Sequence, residues 1–205
     1  MADAITQLVE GAMGSPWVFA ALFAFAAIDA FFPVVPSESL VITAGVFAAA
    51  GEPNLAGVIV AAGLGALAGD HISYFAGRTA AGRFVRNATP GTRRAKGLTR
   101  AGKLLGERGG SILIICRYIP GARTAVTLTA GAVRYPLRSF TFFDSIAAFS
   151  WATYSALIGY LGGEAFEGDP LKGLALGLGL ALTVTFGVEV VRQLRRRAAP
   201  EKAAA

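Results

Sequence analysis

The stretch that decides the fold runs from residue 111 to residue 133 and reads SILIICRYIPGARTAVTLTAGAV. Most of it is apolar, yet Arg117, Pro120, Gly121 and Arg123 interrupt it. Proline removes a backbone hydrogen-bond donor and breaks a helix. The pattern therefore predicts a helix that breaks inside an apolar environment and presents two arginines at the break.

The composition predicts an integral membrane protein. Of the 205 residues, 54% are hydrophobic and 16% are charged, whereas soluble domains carry about 25% charged residues. The N-terminus, Met1-Ala2-Asp3, lacks a basic region, so we expect no cleavable signal peptide. The single cysteine, Cys116, excludes an intrachain disulfide and a cysteine metal cluster. We expect that thiol to be buried, and we expect neither a metal nor a cofactor.

Six apolar stretches lie along the chain, and they differ in length. A helix needs about 20 residues to cross a bilayer. The second stretch has only 12 residues and therefore predicts a re-entrant segment, as does the interrupted stretch described above. The six stretches cover residues 17–35, 39–50, 55–77, 111–133, 139–163 and 171–191.

Basic residues predict the orientation of these segments. The stretch 78–108 holds nine basic side chains against Glu107 alone, and the tail after Val191 holds five more. The positive-inside rule places both in the cytoplasm. Counting crossings then predicts an all-α polytopic fold with four transmembrane helices, two oppositely oriented re-entrant segments at about 33–50 and 111–133, and both termini cytoplasmic. The predicted parts are an N-terminal segment at 1–16, a transmembrane domain at 17–191 and a basic tail at 192–205.

The two re-entrant segments resemble each other. Each places a proline and a charged residue ahead of a Thr-Ala-Gly triplet, at 43–45 in the first and at 129–131 in the second. Interrupted segments in an inverted repeat are typical of transporters, whose binding site lies where the two halves meet.

Four charged residues lie at the breaks, namely Asp29, Glu38, Arg117 and Arg123. A charge near the bilayer centre costs roughly 2.5–3.5 kcal/mol, so four that face lipid would cost on the order of 10 kcal/mol. These side chains must therefore face the protein interior, a water-filled cavity or each other. Mutual neutralisation across a central cavity is the arrangement of lowest free energy.

The candidate anion site consists of Arg117 and Arg123, with Pro120 and Gly121 between them. Freed backbone N–H groups and half-helix N-termini favour anions, and guanidinium groups match the geometry of phosphate and carboxylate. The alternative is a structural role, in which both arginines stay paired with Asp29 and Glu38.

Asp29 and Glu38 are the candidate proton-coupling residues. A carboxylate held between the opposing effects of burial and a nearby arginine can bind and release a proton. Such a group could couple transport to protons. The alternative is a fixed ion pair.

Other polar residues have supporting roles in this interpretation. Asp70 lies ~10 Å from the end of its segment at Gly77, so we expect an interfacial or supporting role. His71, the only histidine, is expected to pack or to cap, and Asp144 could reach the interface. The basic stretch 83–108 could lie on the inner leaflet or could simply be solvated.

Three motifs together resemble the DedA family of membrane proteins, also called the VTT domain family, which is related to eukaryotic lipid scramblases. They cover roughly residues 25–165. The first is Asp29 with Pro36-Ser37-Glu38 and Ala44-Gly45, the second is Gly69-Asp70 with Tyr74 and Gly77-Arg78, and the third is Arg117 with Pro120-Gly121, Arg123 and Ala130-Gly131.

The resemblance implies a flippase that moves undecaprenyl phosphate, a lipid carrier of cell-wall synthesis, between the leaflets of a bacterial cytoplasmic membrane. It also implies proton-dependent transport. In this picture the two arginines hold the phosphate, Asp29 and Glu38 exchange protons, and Asp70, Tyr74 and Asp144 are secondary. The chain departs from the family at Asp29 and Asp144, where other members often carry Glu and Asn.

Other functions stay open at this stage. One is a phospholipid scramblase without proton coupling, and another is a structural protein of membrane homeostasis. A lipid phosphatase is disfavoured because His71 is the only histidine and no Gly-x-Ser-x-Gly motif occurs, so we expect no enzyme. The expected partners are membrane lipids and protons, without nucleic acid, and a homo-oligomer is left open.

Overall fold

The computed structural model describes residues 11–31, 37–81, 93–119 and 122–165. Within these ranges the backbone is helical, with connecting turns and no strand. The predicted all-α architecture is therefore confirmed for the described part of the chain. Its helices are α1 (Trp17–Phe31), α2 (Ser37–Ala49), α3 (Leu55–Ala76) followed by a π-helical turn (Gly77–Ala81), α4 (Arg93–Arg117), α5 (Ala122–Ala132) and α6 (Leu137–Glu164).

Among the described residues, one helix is long and apolar enough to cross a bilayer by length and composition. It is α3 with the start of the turn after it, Leu55–Thr79, and its 25 residues extend about 37 Å. Asn54 caps this helix, because its side-chain oxygen accepts a hydrogen bond of 3.0 Å from the N–H of Gly57. The apolar helices α1 and α2 have 15 and 13 residues and are shorter than the ~30 Å hydrocarbon core.

The outer surface of α3 is typical of a helix that contacts lipid. Its buried side is formed largely by small residues, which let neighbouring helices approach closely in membrane proteins. A soluble protein would bury its large apolar side chains instead. The large apolar side chains exposed on α3 are Val60, Leu64, Ile72 and Phe75.

The two halves of the chain repeat one packing pattern. In the first half α1 packs along α3, and in the second half α4 packs along α6. Each short helix packs against the long helix of the other half, so that α2 contacts α6 and α5 contacts α3. The long helices α3 and α6 also contact each other. This pattern supports the internal repeat predicted from the sequence.

The glycines of the two Thr-Ala-Gly triplets allow close backbone contacts between the halves. A Cβ on Gly45 would meet the carbonyl oxygen of Ala156 in α6. A Cβ on Gly131 would meet the carbonyl oxygen of Tyr74 in α3. The equivalent position in each half therefore needs glycine for the same reason, which is close backbone approach to the opposite long helix.

Two helices flank the break that the sequence predicts between residues 111 and 133. The first, α4, bends at Arg108, where φ is −137° and ψ is 22°, and it ends at Arg117. The second, α5, begins at Ala122 and has 11 residues. Neither α5 nor the part of α4 beyond the bend is long enough to cross a bilayer.

Several predicted features lie outside the described residues. The number of membrane crossings, the re-entrant arrangement and the cytoplasmic location of both termini stay predictions. The features outside the described ranges are the first residues of the N-terminal segment, residues 33–36 of the first predicted re-entrant segment, residues 82–92 of the basic stretch, Pro120, Gly121, the apolar stretch 171–191 and the tail 192–205.

Candidate functional site

A buried ion pair joins α3 to the C-terminal end of α4. The Nη1 atom of Arg117 donates a hydrogen bond of 2.6 Å to Oδ2 of Asp70. Their side chains are 1% and 0% exposed, respectively. A charge-assisted hydrogen bond of this kind is roughly twice as strong as a neutral one, so the pair anchors the break before α5 to the longest apolar helix.

Arg117 has a second acidic neighbour on α6. Its Nη1 atom lies 3.6 Å from Oδ1 of Asp144, whose side chain is 3% exposed. The guanidinium also lies over the ring of Trp151, with 5.5 Å between its carbon and the ring centroid, which is cation–π distance. Arg117 is thus enclosed by residues of α3 and α6.

Arg123, in the first turn of α5, connects Asp70 of α3 to Asp29 of α1. Its Nη2 atom lies 3.3 Å from Oδ2 of Asp29, and its Nε atom lies 3.5 Å from Oδ1 of Asp70. Asp29 also accepts a hydrogen bond of 2.7 Å from the hydroxyl of Ser37, at the start of α2. The side chains of Arg123 and Asp29 are 12% and 18% exposed, so this end is more accessible than the Arg117 end.

These five residues form what we call the charge cluster, and it holds three acids and two arginines. Asp70 lies at its centre because both arginines contact it. Several of its buried atoms have no hydrogen-bond partner among the described residues, and leaving such atoms unpaired is costly. The members are Asp29, Asp70, Arg117, Arg123 and Asp144, and the unpartnered atoms are Asp70 Oδ1, Arg117 Nε, Arg117 Nη2 and Asp144 Oδ2.

His71 lies beside the charge cluster and contacts α6. Its Nδ1 atom is 2.8 Å from the carbonyl oxygen of Leu67, and its Nε2 atom is 2.8 Å from Oγ1 of Thr141. Its Nδ1 atom is also 3.8 Å from Oδ2 of Asp144. The sequence predicted only a packing or capping role for this histidine, and the structure adds an acidic neighbour.

Tyr74 fixes the end of α3 to the turn between α5 and α6. Its hydroxyl donates a hydrogen bond to the carbonyl oxygen of Tyr135 and accepts one of 3.1 Å from Nη1 of Arg78. Its ring lies 4.7 Å from the ring of Phe140. Tyr74 therefore has a positioning role one turn away from the charge cluster.

The structure brings the predicted residues together differently from the expected arrangement. Arg123 contacts Asp29, as mutual neutralisation predicted, but Arg117 contacts Asp70 and Asp144 instead. Glu38 is half-buried in the first turn of α2. Within the described ranges, it forms no ion pair with either arginine.

Asp70 and Asp144 have buried side chains within the charge cluster. The sequence left an interfacial or a supporting role open for Asp70, and its contacts with both arginines favour the supporting role. That Asp144 could reach the membrane interface stays a prediction. An ionisable residue inside an apolar segment is by default a candidate functional residue, and that signal pointed to both.

Curated relatives of this chain include bacterial membrane proteins. Protein DedA of Escherichia coli K12 is 26% identical over 192 residues, which cover 91% of this chain and 88% of DedA. An uncharacterized membrane protein of Mycobacterium tuberculosis is 30% identical over 137 residues, 65% of this chain and 60% of its own. A Lactococcus lactis protein named alkaline phosphatase-like is 27% identical over 146 residues, 68% of each chain. No solved structure matches the chain.

The VTT domain model matches residues 35–161, which is more than half of the chain. The matched part begins just before α2 and ends near the end of α6. It includes four members of the charge cluster and leaves out Asp29. The resemblance found in the sequence is thereby confirmed, and the chain belongs to the VTT domain family of membrane proteins, with DedA of Escherichia coli among its relatives.

Proposed function

We propose that this protein is a transporter that moves a lipid-linked phosphate between the leaflets of the bacterial cytoplasmic membrane, coupled to protons. Undecaprenyl phosphate is the substrate that we propose. The single observation that carries this proposal is the position of Arg123 between Asp29 and Asp70 at the accessible end of the charge cluster.

Arg123 is suited to exchange a carboxylate for a phosphate. Its distances to Asp29 and Asp70 are 3.3 and 3.5 Å, longer than the 2.7–2.9 Å typical of a charge-assisted hydrogen bond. It also lies in the first turn of α5, and the N-terminus of a helix favours anions. A phosphate head group could therefore replace Asp29 at this guanidinium while the lipid tail stays in the bilayer.

Arg117 has a different role in the proposal. Its side chain is buried and directly hydrogen-bonded to Asp70, so a head group would reach it only after a rearrangement. We assign it to fixing the position of Asp70, which in turn holds Arg123. The predicted anion site thus has one accessible arginine and one supporting arginine.

Proton coupling follows from the same contacts. When a phosphate binds Arg123, Asp29 loses its positively charged partner. Protonation of Asp29 would then remove the uncompensated negative charge. Glu38, a half-buried acid in the first turn of α2, is the other proton-coupling residue of the proposal. Phosphate and proton would then be bound and released together.

The architecture offers a route for alternating access. The short helices α2 and α5 each pack against the long helix of the opposite half, and the charge cluster lies among α1, α3, α4, α5 and α6. We propose that α2 and α5 belong to the two re-entrant segments, and that both termini are cytoplasmic. Movement of one half against the other would open the site to alternate faces.

We propose transport without enzymatic turnover of the phosphate. One group of relatives is named alkaline phosphatase-like, so the question needs a direct test. The chain has a single histidine, and the described residues contain no group of three or more metal-ligating side chains placed to hold a metal ion. An assay for inorganic phosphate released from undecaprenyl phosphate would contradict this part of the proposal if it gave protein-dependent release.

The proposed function is tested by reconstitution in liposomes. Labelled polyprenyl phosphate is followed between leaflets for the wild type, for Arg123→Ala and for Arg138→Ala, which removes an exposed arginine of α6 as a matched control. We expect Arg123→Ala to abolish transport and Arg138→Ala to keep it, with both variants folded. Movement of ordinary phospholipids at the same rate would favour a scramblase, and no movement of either lipid would favour a structural role.

A further inference from the structure

Two carboxylates compete for one nitrogen of Arg117. Nη1 lies 2.6 Å from Asp70 and 3.6 Å from Asp144. Only the shorter contact is a hydrogen bond. Asp144 is therefore the weaker partner, and its Oδ2 atom has no hydrogen-bond partner among the described residues.

The charges near Asp144 do not balance. The charge cluster has three carboxyl groups and two guanidinium groups, and Asp144 is 3% exposed, so water cannot solvate a third negative charge. An uncompensated buried carboxylate is strongly unfavourable. A proton on Asp144 would leave two carboxylates for two arginines.

Among the described residues, charged or titratable groups from three helices face Asp144. One acid and two arginines contribute opposite electrostatic fields, and a thiol and an imidazole also lie nearby. Arg117 donates its short hydrogen bond to Asp70, and its contact with Asp144 is longer. The facing groups are Asp70 and His71 from α3, Cys116 and Arg117 from α4, and Arg123 from α5.

His71 has the geometry of a proton shuttle to Asp144. A carbonyl oxygen only accepts, so the 2.8 Å contact of Nδ1 with Leu67 places a proton on Nδ1, and Nε2 accepts from the hydroxyl of Thr141 at 2.8 Å. Nδ1 is also 3.8 Å from Oδ2 of Asp144. A small movement of the ring or carboxylate would bring these two atoms to hydrogen-bond distance.

We propose that Asp144 is a second proton-binding residue, separate from Asp29 and Glu38, and that it exchanges its proton with water through His71. In the uptake step, Nε2 of His71 takes a proton relayed by the hydroxyl of Thr141. The Nδ1–H bond then breaks as an O–H bond forms on Oδ2 of Asp144, which leaves a neutral imidazole with its proton on Nε2. The imidazole side chain is 23% exposed, so it can reach the surroundings that Asp144 cannot reach.

The proton on Asp144 is proposed from geometry and charge alone, and only its use in transport rests on the proposed function. Once protonated, Asp144 no longer attracts Arg117 as a negative charge, and Arg117 stays paired with Asp70. Without it, Asp144 draws Arg117 away from Asp70 and so loosens the hold of Asp70 on Arg123. The second proton would thereby tune the affinity of Arg123 for phosphate.

Infrared difference spectroscopy of the full-length protein in lipid nanodiscs tests the proposal. We expect the wild type at neutral pH to show the carbonyl band of a buried protonated carboxyl group, shifted in heavy water and absent in Asp144→Asn. Glu52→Gln, at an exposed acid outside the charge cluster, serves as the control and should keep the band. A band that persists in Asp144→Asn, or that is missing from the wild type, would overturn the proposal whether or not the protein transports lipid.

The role of His71 has its own readout. We expect His71→Gln to keep the band but to slow its exchange with heavy water at least about tenfold, because a positioned proton-transfer group is lost. Unchanged exchange would overturn the assignment of His71 as the route. A wild type that shows the band but moves no lipid would contradict only the proposed function.

Discussion

Arg117 and Asp70 lie 47 positions apart in the chain, and 2.6 Å separates Nη1 of the first from Oδ2 of the second. Both side chains are almost completely removed from solvent. The contact joins the end of α4 to α3 at the break where the second half of the chain begins. It is the strongest interaction of the charge cluster by distance, and the positions of Arg123 and Asp144 depend on it.

Breaking this pair is expected to destabilise the protein strongly. Arg117→Ala would leave Asp70 buried with only the longer contact to Arg123, and loss of one partner of a buried pair costs about 3–5 kcal/mol. The free energy of unfolding in detergent measures the effect. Lys103→Ala is the control, because Lys103 and Glu107 form an exposed pair at 3.9 Å, for which we expect less than about 1 kcal/mol. Equal effects of the two substitutions would contradict the assignment.

The close approach between the halves predicts that substitution of different glycines by alanine has different effects on the free energy of unfolding. Gly131→Ala would place a methyl group against the carbonyl oxygen of Tyr74, and we expect a loss of about 1–3 kcal/mol from overpacking. Gly106→Ala in α4 has nothing within 4 Å of the added carbon and should stabilise its helix by up to about 1 kcal/mol. Thermal unfolding of the two variants compares them directly, and a neutral Gly131→Ala would refute the proposed contact.

The Tyr74 hydroxyl is expected to stabilise the turn between α5 and α6. Tyr74→Phe removes its hydrogen bonds to Arg78 and to the carbonyl oxygen of Tyr135, and we expect a loss of about 1 kcal/mol because a part-buried acceptor loses its donor. Tyr118→Phe removes an exposed contact with Ser150 and should change stability less. A larger effect at Tyr118 would contradict this reading.

Substitution of Asp29 separates binding of the phosphate from coupling to protons. Asp29→Asn removes the carboxylate that competes for Arg123, so we expect tighter binding of polyprenyl phosphate and a transport rate that responds less to a pH gradient. Binding by the purified protein and transport in liposomes measure the two effects. Glu52→Gln, at an exposed acid between α2 and α3, is the control. Weaker binding by Asp29→Asn would argue against competition at Arg123.

Much of the architecture could be predicted from local sequence. The break after Arg117 follows from proline and glycine in an apolar stretch, and the repeat is visible because both triplets need glycine for the same close packing. The cost of burying charge identified Arg123 and Asp29 before their contact was known. These inferences depend on residues near one another in sequence or on a cost that holds for any fold.

The partners of Arg117 could not be predicted in the same way. Which acid meets which arginine depends on how α3 and α6 pack at the centre, and segment lengths alone do not fix that packing. The sequence therefore left an interfacial or a supporting role open for Asp70, and pairing of the arginines with Asp29 and Glu38 was only one of two alternatives. The acidic neighbour of His71, Asp144, belongs to a different helix. The sequence around His71 therefore could not predict this contact.

The central claim is proton-coupled movement of a lipid phosphate, and transport under imposed pH gradients of opposite sign tests it most directly. Wild-type protein in liposomes would be given labelled undecaprenyl phosphate, and the amount in each leaflet would be followed over time. The account predicts net movement whose direction reverses when the gradient is reversed. Equal movement in both directions under either gradient, with ordinary phospholipids moving as fast, would contradict it.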